Sequence, residues 1–129
     1  MHAIQKHSGE SFFSATLAQS SALAAQSGAA PVSVAFGWNN RLKTAFGWAW
    51  VVDAAARTAK VELSVRWWVV LTAAERANVV RHELAHVWAE LEQEGSDHGL
   101  FWQEWALRFG ADPTATIAVS EAAFKAAGR

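Results

Sequence analysis

The sequence predicts an α+β domain in which a long helix packs on a small sheet. Two patterns predict it. Between residues 32 and 64, β-branched and aromatic residues alternate with small or polar ones, the period of half-buried strands, and from Ala73 onward apolar residues recur at helical spacing. A chain of 129 residues with 52% hydrophobic content is enough to build one core. We therefore expect a single domain over residues 1–129, its core at about 30–110.

The elements follow in order. Glu10 to Gln26 reads as a helix, with Phe12, Phe13, Thr16, Leu17 and Leu23 on one face and Gly28 through Pro31 breaking it. His2 and His7 precede it in a stretch read as a loose N-terminus. Three strands are expected at Val32 to Phe36, Arg41 to Val52 and Ala59 to Ser64, connected by Asn39-Asn40 and by Asp53 to Arg57, and pairing as an antiparallel sheet. Thr72-Ala73-Ala74-Glu75 is a capping box, in which hydroxyl and carboxylate each satisfy a free backbone N–H, so a helix starts at about Ala73 and runs to a stop at Gly95. On that helix Ala77, Val80, Leu84, Val87, Trp88 and Leu91 form the packing stripe, and His82, Glu83, His86 and Glu90 fall on the other side. Ser96-Asp97-His98-Gly99 supplies a turn and a cap. Trp102, Trp105 and Phe109 then recur at helical spacing before Gly110, and a last short helix runs from Pro113 or Thr116 to Ala127.

The chemistry is concentrated in His82-Glu83-Leu84-Ala85-His86. Two imidazoles four residues apart lie on one helical face and can hold one Zn²⁺, and the carboxylate beside the first is placed to deprotonate an attacking water. Two histidines leave a catalytic zinc site one protein ligand short. His98, on the return of a helical hairpin, can face them; Glu92, Glu94, Asp97 and Glu104 are weaker alternatives that read as a solvated acidic rim. Glu90 is too far along the helix to share the metal with His82 but can orient His86. A bare HExxH on an amphipathic helix also occurs by chance.

HELAH, a short linker and then His98-Gly99-Leu100-Phe101-Trp102 resembles the SprT-like zinc metallopeptidases, the family that includes Spartan, whose pattern is HExxH followed by HGxx and an aromatic. Asn40-Arg41-Leu42, Ala45-Phe46-Gly47-Trp48 and Val61-Glu62-Leu63-Ser64 are similar to the strands that precede the active-site helix of that family. The resemblance covers roughly residues 30 to 110 and implies a minimal zincin-like metallopeptidase. One Zn²⁺ per chain would be held by His82, His86 and His98, with Glu83 as the general base of peptide hydrolysis by a metal-activated water. Members related to Spartan cleave proteins crosslinked to DNA, so the resemblance also implies a link to DNA-associated substrates.

Other classes are narrowed by position. The metzincin pattern needs Gly at 89 and His at 92, where this chain has Ala89 and Glu92, and the only Met is Met1. A thermolysin-like ligand set would use Glu104. There is no cysteine, so neither a disulfide nor the Cys zinc ribbon that often follows the SprT-like domain is expected. No apolar run is long enough to span a membrane and no secretory signal is convincing, so the expected location is cytoplasmic. The formal net charge of −1 argues against a strongly basic nucleic-acid binder, yet residues 41–81 hold seven Lys or Arg against three acids, which leaves weak single-stranded DNA binding as an expectation. Of the eight tryptophans, Trp38, Trp48, Trp50, Trp88, Trp102 and Trp105 are expected in the core or walling a substrate groove. Trp67 and Trp68 are adjacent, so one of them is expected at the surface. For the oxyanion, with no Tyr in the chain, Arg41, Arg66 and Arg81 are the candidates. The expected partner is a protein or peptide substrate. The alternative is a zinc-containing binding module for protein or nucleic acid with vestigial hydrolysis, against which an intact Glu83 counts.

Overall fold

Phe12, Phe13, Thr16 and Ser20 recur at helical spacing and turn one side of α1 (His2–Gln26) inward. The computed structural model describes residues 2–42, 45–93 and 99–113. α1 begins earlier than expected, so His2 and His7 belong to it rather than to a loose end. Three strands follow, β1 (Ser33–Trp38), β2 (Gly47–Asp53) and β3 (Thr58–Leu63), then a single helical turn α2 (Val65–Trp68), the long α3 (Ala73–Gln93) and α4 (Leu100–Phe109). The last helix expected, beyond residue 113, lies outside the described residues.

The architecture is α+β as expected, but the sheet is mixed. Its order is β1-β3-β2, with β1 parallel to β3 and β2 antiparallel to β3. The expected antiparallel meander fails because residues 41, 42, 45 and 46 are not part of a strand. They belong to a loop that crosses the C-terminal end of β3: Asn39 N–H donates to the Leu63 carbonyl at 2.9 Å, Ser64 N–H to the Phe46 carbonyl at 2.8 Å, and the buried Ser64 hydroxyl to the Leu42 carbonyl at 3.0 Å. That crossing carries β2 past β3, and the β2–β3 hairpin then returns β3 to the middle. As the central strand, β3 buries alternate residues, Ala59, Val61 and Leu63, against the helices. Its other face carries Thr58, Lys60 and Glu62, in register with Trp50 and Trp48 on β2.

The hairpin turn is held by Arg57, whose φ of 53° is left-handed and costs an L-residue about 1 kcal/mol. Its guanidinium offsets that strain by donating to the carbonyls of Ala30 and Pro31 at 3.0 and 3.2 Å and by pairing with Glu92 near the end of α3. One side chain thus ties the turn to the approach to β1 and to the main helix.

Ser64 also caps α2, accepting from Trp67 N–H. Both Trp67 and Trp68 are buried, against the expectation that one would be exposed. They do point apart, but α2 is enclosed on both sides: Trp67 meets Phe46, and Trp68 meets Phe12 of α1 and Trp38 of β1, with Arg76 over its ring. The capping box of α3 forms as expected, Thr72 N–H donating to Glu75 at 2.8 Å and Glu75 N–H to the Thr72 hydroxyl at 3.1 Å. α3 is the buried spine, with Val80, Leu84, Val87 and Trp88 in the core. Gly110, at φ 85°, ends α4 in the left-handed conformation that glycine adopts without strain.

Candidate metal centre and substrate cleft

The site is built where α3 passes beneath edge strand β2. His82, Glu83, His86 and Glu90 of α3 form one side of a cleft of about 360 Å³, and Gly47, Trp48, Ala49 and Trp50 of β2 form the other. Helical spacing explains the first group, since residues 82, 86 and 90 succeed one another one turn apart. Close strand packing explains Gly47, where a Cβ would stand 2.7 Å from the Glu62 carbonyl oxygen and from Leu63.

The two imidazoles lie with ring centroids 5.1 Å apart and planes at 69°. Trp102 of α4, fully buried, contacts both rings, at 4.8 Å from His82 and 5.4 Å from His86, nearly parallel to the latter. Its indole N–H donates to the His82 carbonyl at 3.2 Å, using spare lone-pair capacity of a helical C=O. Trp102 therefore sets the position of both histidines relative to α4. Trp102→Phe keeps an aromatic ring but removes the N–H and some volume, and we expect a loss of about 1–2 kcal/mol in stability. If His82 and His86 hold zinc, roughly tenfold weaker zinc retention is expected with it. Denaturant unfolding and chelator competition on the same preparation measure the two effects.

Glu83 is 5% exposed, and burial raises its carboxyl to a pKa of about 8. A carboxyl in that state exchanges a proton near neutral pH, as a general base must. Beside Trp48 on the neighbouring β3, the Glu62 carboxyl is held below its ordinary range, chiefly by the indole N–H of Trp48, which donates to it at 2.9 Å. Asn39 donates to the same oxygen at 3.0 Å.

Sequence reasoning brought His82, Glu83 and His86 to one place, and Glu90 shares their cleft. His98 lies outside the described residues, as do Glu94 and Asp97. Glu92 pairs with Arg57, and Glu104 is exposed on α4 away from the cleft lining. Arg41, Arg66 and Arg81 do not line the cleft. Two imidazoles of one helix opening on a common cleft are the donor type and spacing that Zn²⁺ takes, so the residues present fit part of a zinc site. Among the described residues no group of three His, Cys, Asp or Glu completes it. The placement of Trp48 and Trp50 at the cleft and of Trp102 behind the histidines was not separable from the general aromatic core; alternating Trp at 48 and 50 after Gly47 was the available signal.

A model of the SprT-like family matches residues 9–121. The chain belongs to the SprT-like family. The match takes in most of α1 and all of the sheet, α3 and α4, and so both sides of the cleft of this SprT-like domain. No curated protein and no solved structure gives a significant match. Among the described residues no helix is long and apolar enough to cross a membrane.

Proposed function

We propose that this SprT-like domain is a zinc-dependent endopeptidase. The observation that carries the proposal is the shared cleft of His82, His86 and the buried Glu83 beneath an edge strand. His82 and His86 would hold the metal through neutral imidazoles, with His98 as third ligand. Zn²⁺, when bound, supplies Lewis acidity that polarises a carbonyl and acidifies water. Glu83 accepts the proton of the attacking water and delivers it to the leaving amine. Among the described residues β2 pairs only with β3, so its other edge offers backbone donors and acceptors to an extended substrate, a mode that favours unfolded or loosely folded segments over a fixed sequence.

The test is cleavage of an unfolded protein by zinc-loaded enzyme against a chelated control; a rate no higher than the control on any such substrate defeats the proposal. The ligand set has its own test. His98→Ala is expected to lose zinc that Glu104→Ala retains, measured by metal analysis of the purified variants, and the reverse result would move the third ligand to Glu104. DNA-associated proteins fit as substrates through the family, and single-stranded DNA is the weaker partner in this proposal. Of the basic stretch, Arg57 and Lys60 are already engaged by Glu92 and Glu62, and Arg76 by Trp68.

A further inference from the structure

The tryptophans of this chain differ widely in exposure, with Trp38 half-buried between the extremes. Trp67, Trp68, Trp88, Trp102 and Trp105 are 4% exposed or less, whereas Trp48 and Trp50 are 49% and 40% exposed. The exposed two are neighbours on one face of β2, since residues two apart in a strand point the same way. Both border the cleft that holds His82, Glu83 and His86, and with Ala49 they line a further shallow, open hollow of about 450 Å³ in which no titratable side chain takes part. Trp48 is also fixed in place. Its indole N–H is committed to Glu62, so its polar edge is satisfied and the ring remains for apolar contact.

Resting on the endopeptidase reading, we propose that Trp48 and Trp50 read substrate side chains, selecting large aliphatic or aromatic residues at alternate positions of the bound peptide. An extended chain that pairs with the free edge of β2 keeps the strand period. Every second side chain then falls beside Trp48 or Trp50, at cross-strand distances of about 4.5–5.5 Å, while the intervening ones turn toward α3. Beside these indoles a large apolar side chain buries area on a surface already held in position, and little rotamer freedom is lost on the protein side. The charges nearest these indoles, Lys60 and Glu62 on β3, are paired with each other and Glu62 also with the Trp48 N–H, so the indoles offer a charged side chain no opposite charge of their own.

The experiment separates this selection from turnover. In the zinc-loaded full chain carrying Glu83→Gln, affinities are measured by fluorescence anisotropy for labelled extended peptides that differ only in carrying Phe, Leu, Ser, Lys or Glu at two alternate positions. Phe and Leu peptides are expected to bind about three- to tenfold tighter than Ser peptides, the range of two cross-strand aromatic contacts. Adding Trp48→Ala or Trp50→Ala should reduce that ratio, and Trp50→Phe should restore most of it. Equal ratios with and without the tryptophans, no binding of any peptide, or a preference for Lys or Glu, would overturn the proposal. Cleavage of the same peptides by the chain with Glu83 intact is measured in parallel. A tryptophan-dependent binding preference without any cleavage would leave the selection standing and remove the endopeptidase reading, whereas cleavage with no tryptophan-dependent preference would do the opposite.

Discussion

Replacing Glu83 with Gln is expected to lower cleavage of an unfolded protein about 10²-fold or more while zinc content stays at the wild-type level. The substitution keeps size and helical position and is assigned no bond to the metal. Among the described residues, what it removes is the only carboxylate beside His82 that is both buried and at the cleft, with its proton affinity raised toward neutrality. Glu90 also borders the cleft but stands two turns along α3 from His82, too far to take over the role. The comparison is made at matched zinc occupancy with chelated enzyme as background. A variant as fast as wild type would mean that another group takes the proton.

The same carboxyl makes metal-free protein sensitive to pH, in the direction opposite to most carboxylates. Burial raises the folded-state pKa of Glu83 to about 8, above the ordinary value of 4.5. The folded protein then binds the proton more tightly than the unfolded chain does. The associated stability is fully present below pH 4.5, and it is lost as pH rises through about 8. Across that window the metal-free protein should lose up to about 1.4 kcal/mol per pH unit relative to Glu83→Gln, which has no such proton to release. Denaturant unfolding of both chelated proteins at several pH values between 5 and 8 isolates Glu83, because the remaining titrating groups are common to the two. A constant difference between them would show that Glu83 is already ionised when folded. Bound Zn²⁺ favours the carboxylate form, so the effect should shrink in the loaded protein.

The helices were legible because their signals are local. Thr72 and Glu75 form the cap that their spacing announces, and the three-four rhythm of Val80, Leu84 and Val87 places His82 and His86 together. The sheet was legible only in part. Alternation tells which face a residue occupies and says nothing of which strand lies beside it, so the antiparallel expectation had no means of detecting that β3 stands between β1 and β2. Arg41 to Phe46 looks like strand, but Asn39, Leu42 and Phe46 are held by Leu63 and Ser64, partners 18 or more residues distant in sequence. The burial of both Trp67 and Trp68 likewise depends on Phe46, Phe12 and Trp38 arriving from three other segments. Of the site, the candidate metal-binding pair and the candidate base could be read from one helix. The indole that backs the histidines and the two that border the cleft acquire those places only through packing between elements.

Arg57 has a consequence for how the molecule opens. Because its guanidinium holds the Ala30 and Pro31 carbonyls and Glu92 at once, the hairpin turn, the approach to β1 and the last turn of α3 share a single fastening. None of the three can fray far without loosening the others, and the carbonyl of Arg57 itself receives the Ser33 N–H that begins β1. This corner of the domain therefore behaves as one unit of local unfolding, at the opposite end of α3 from its capping box, and fraying of the helix terminus is coupled to the sheet rather than left to the helix alone.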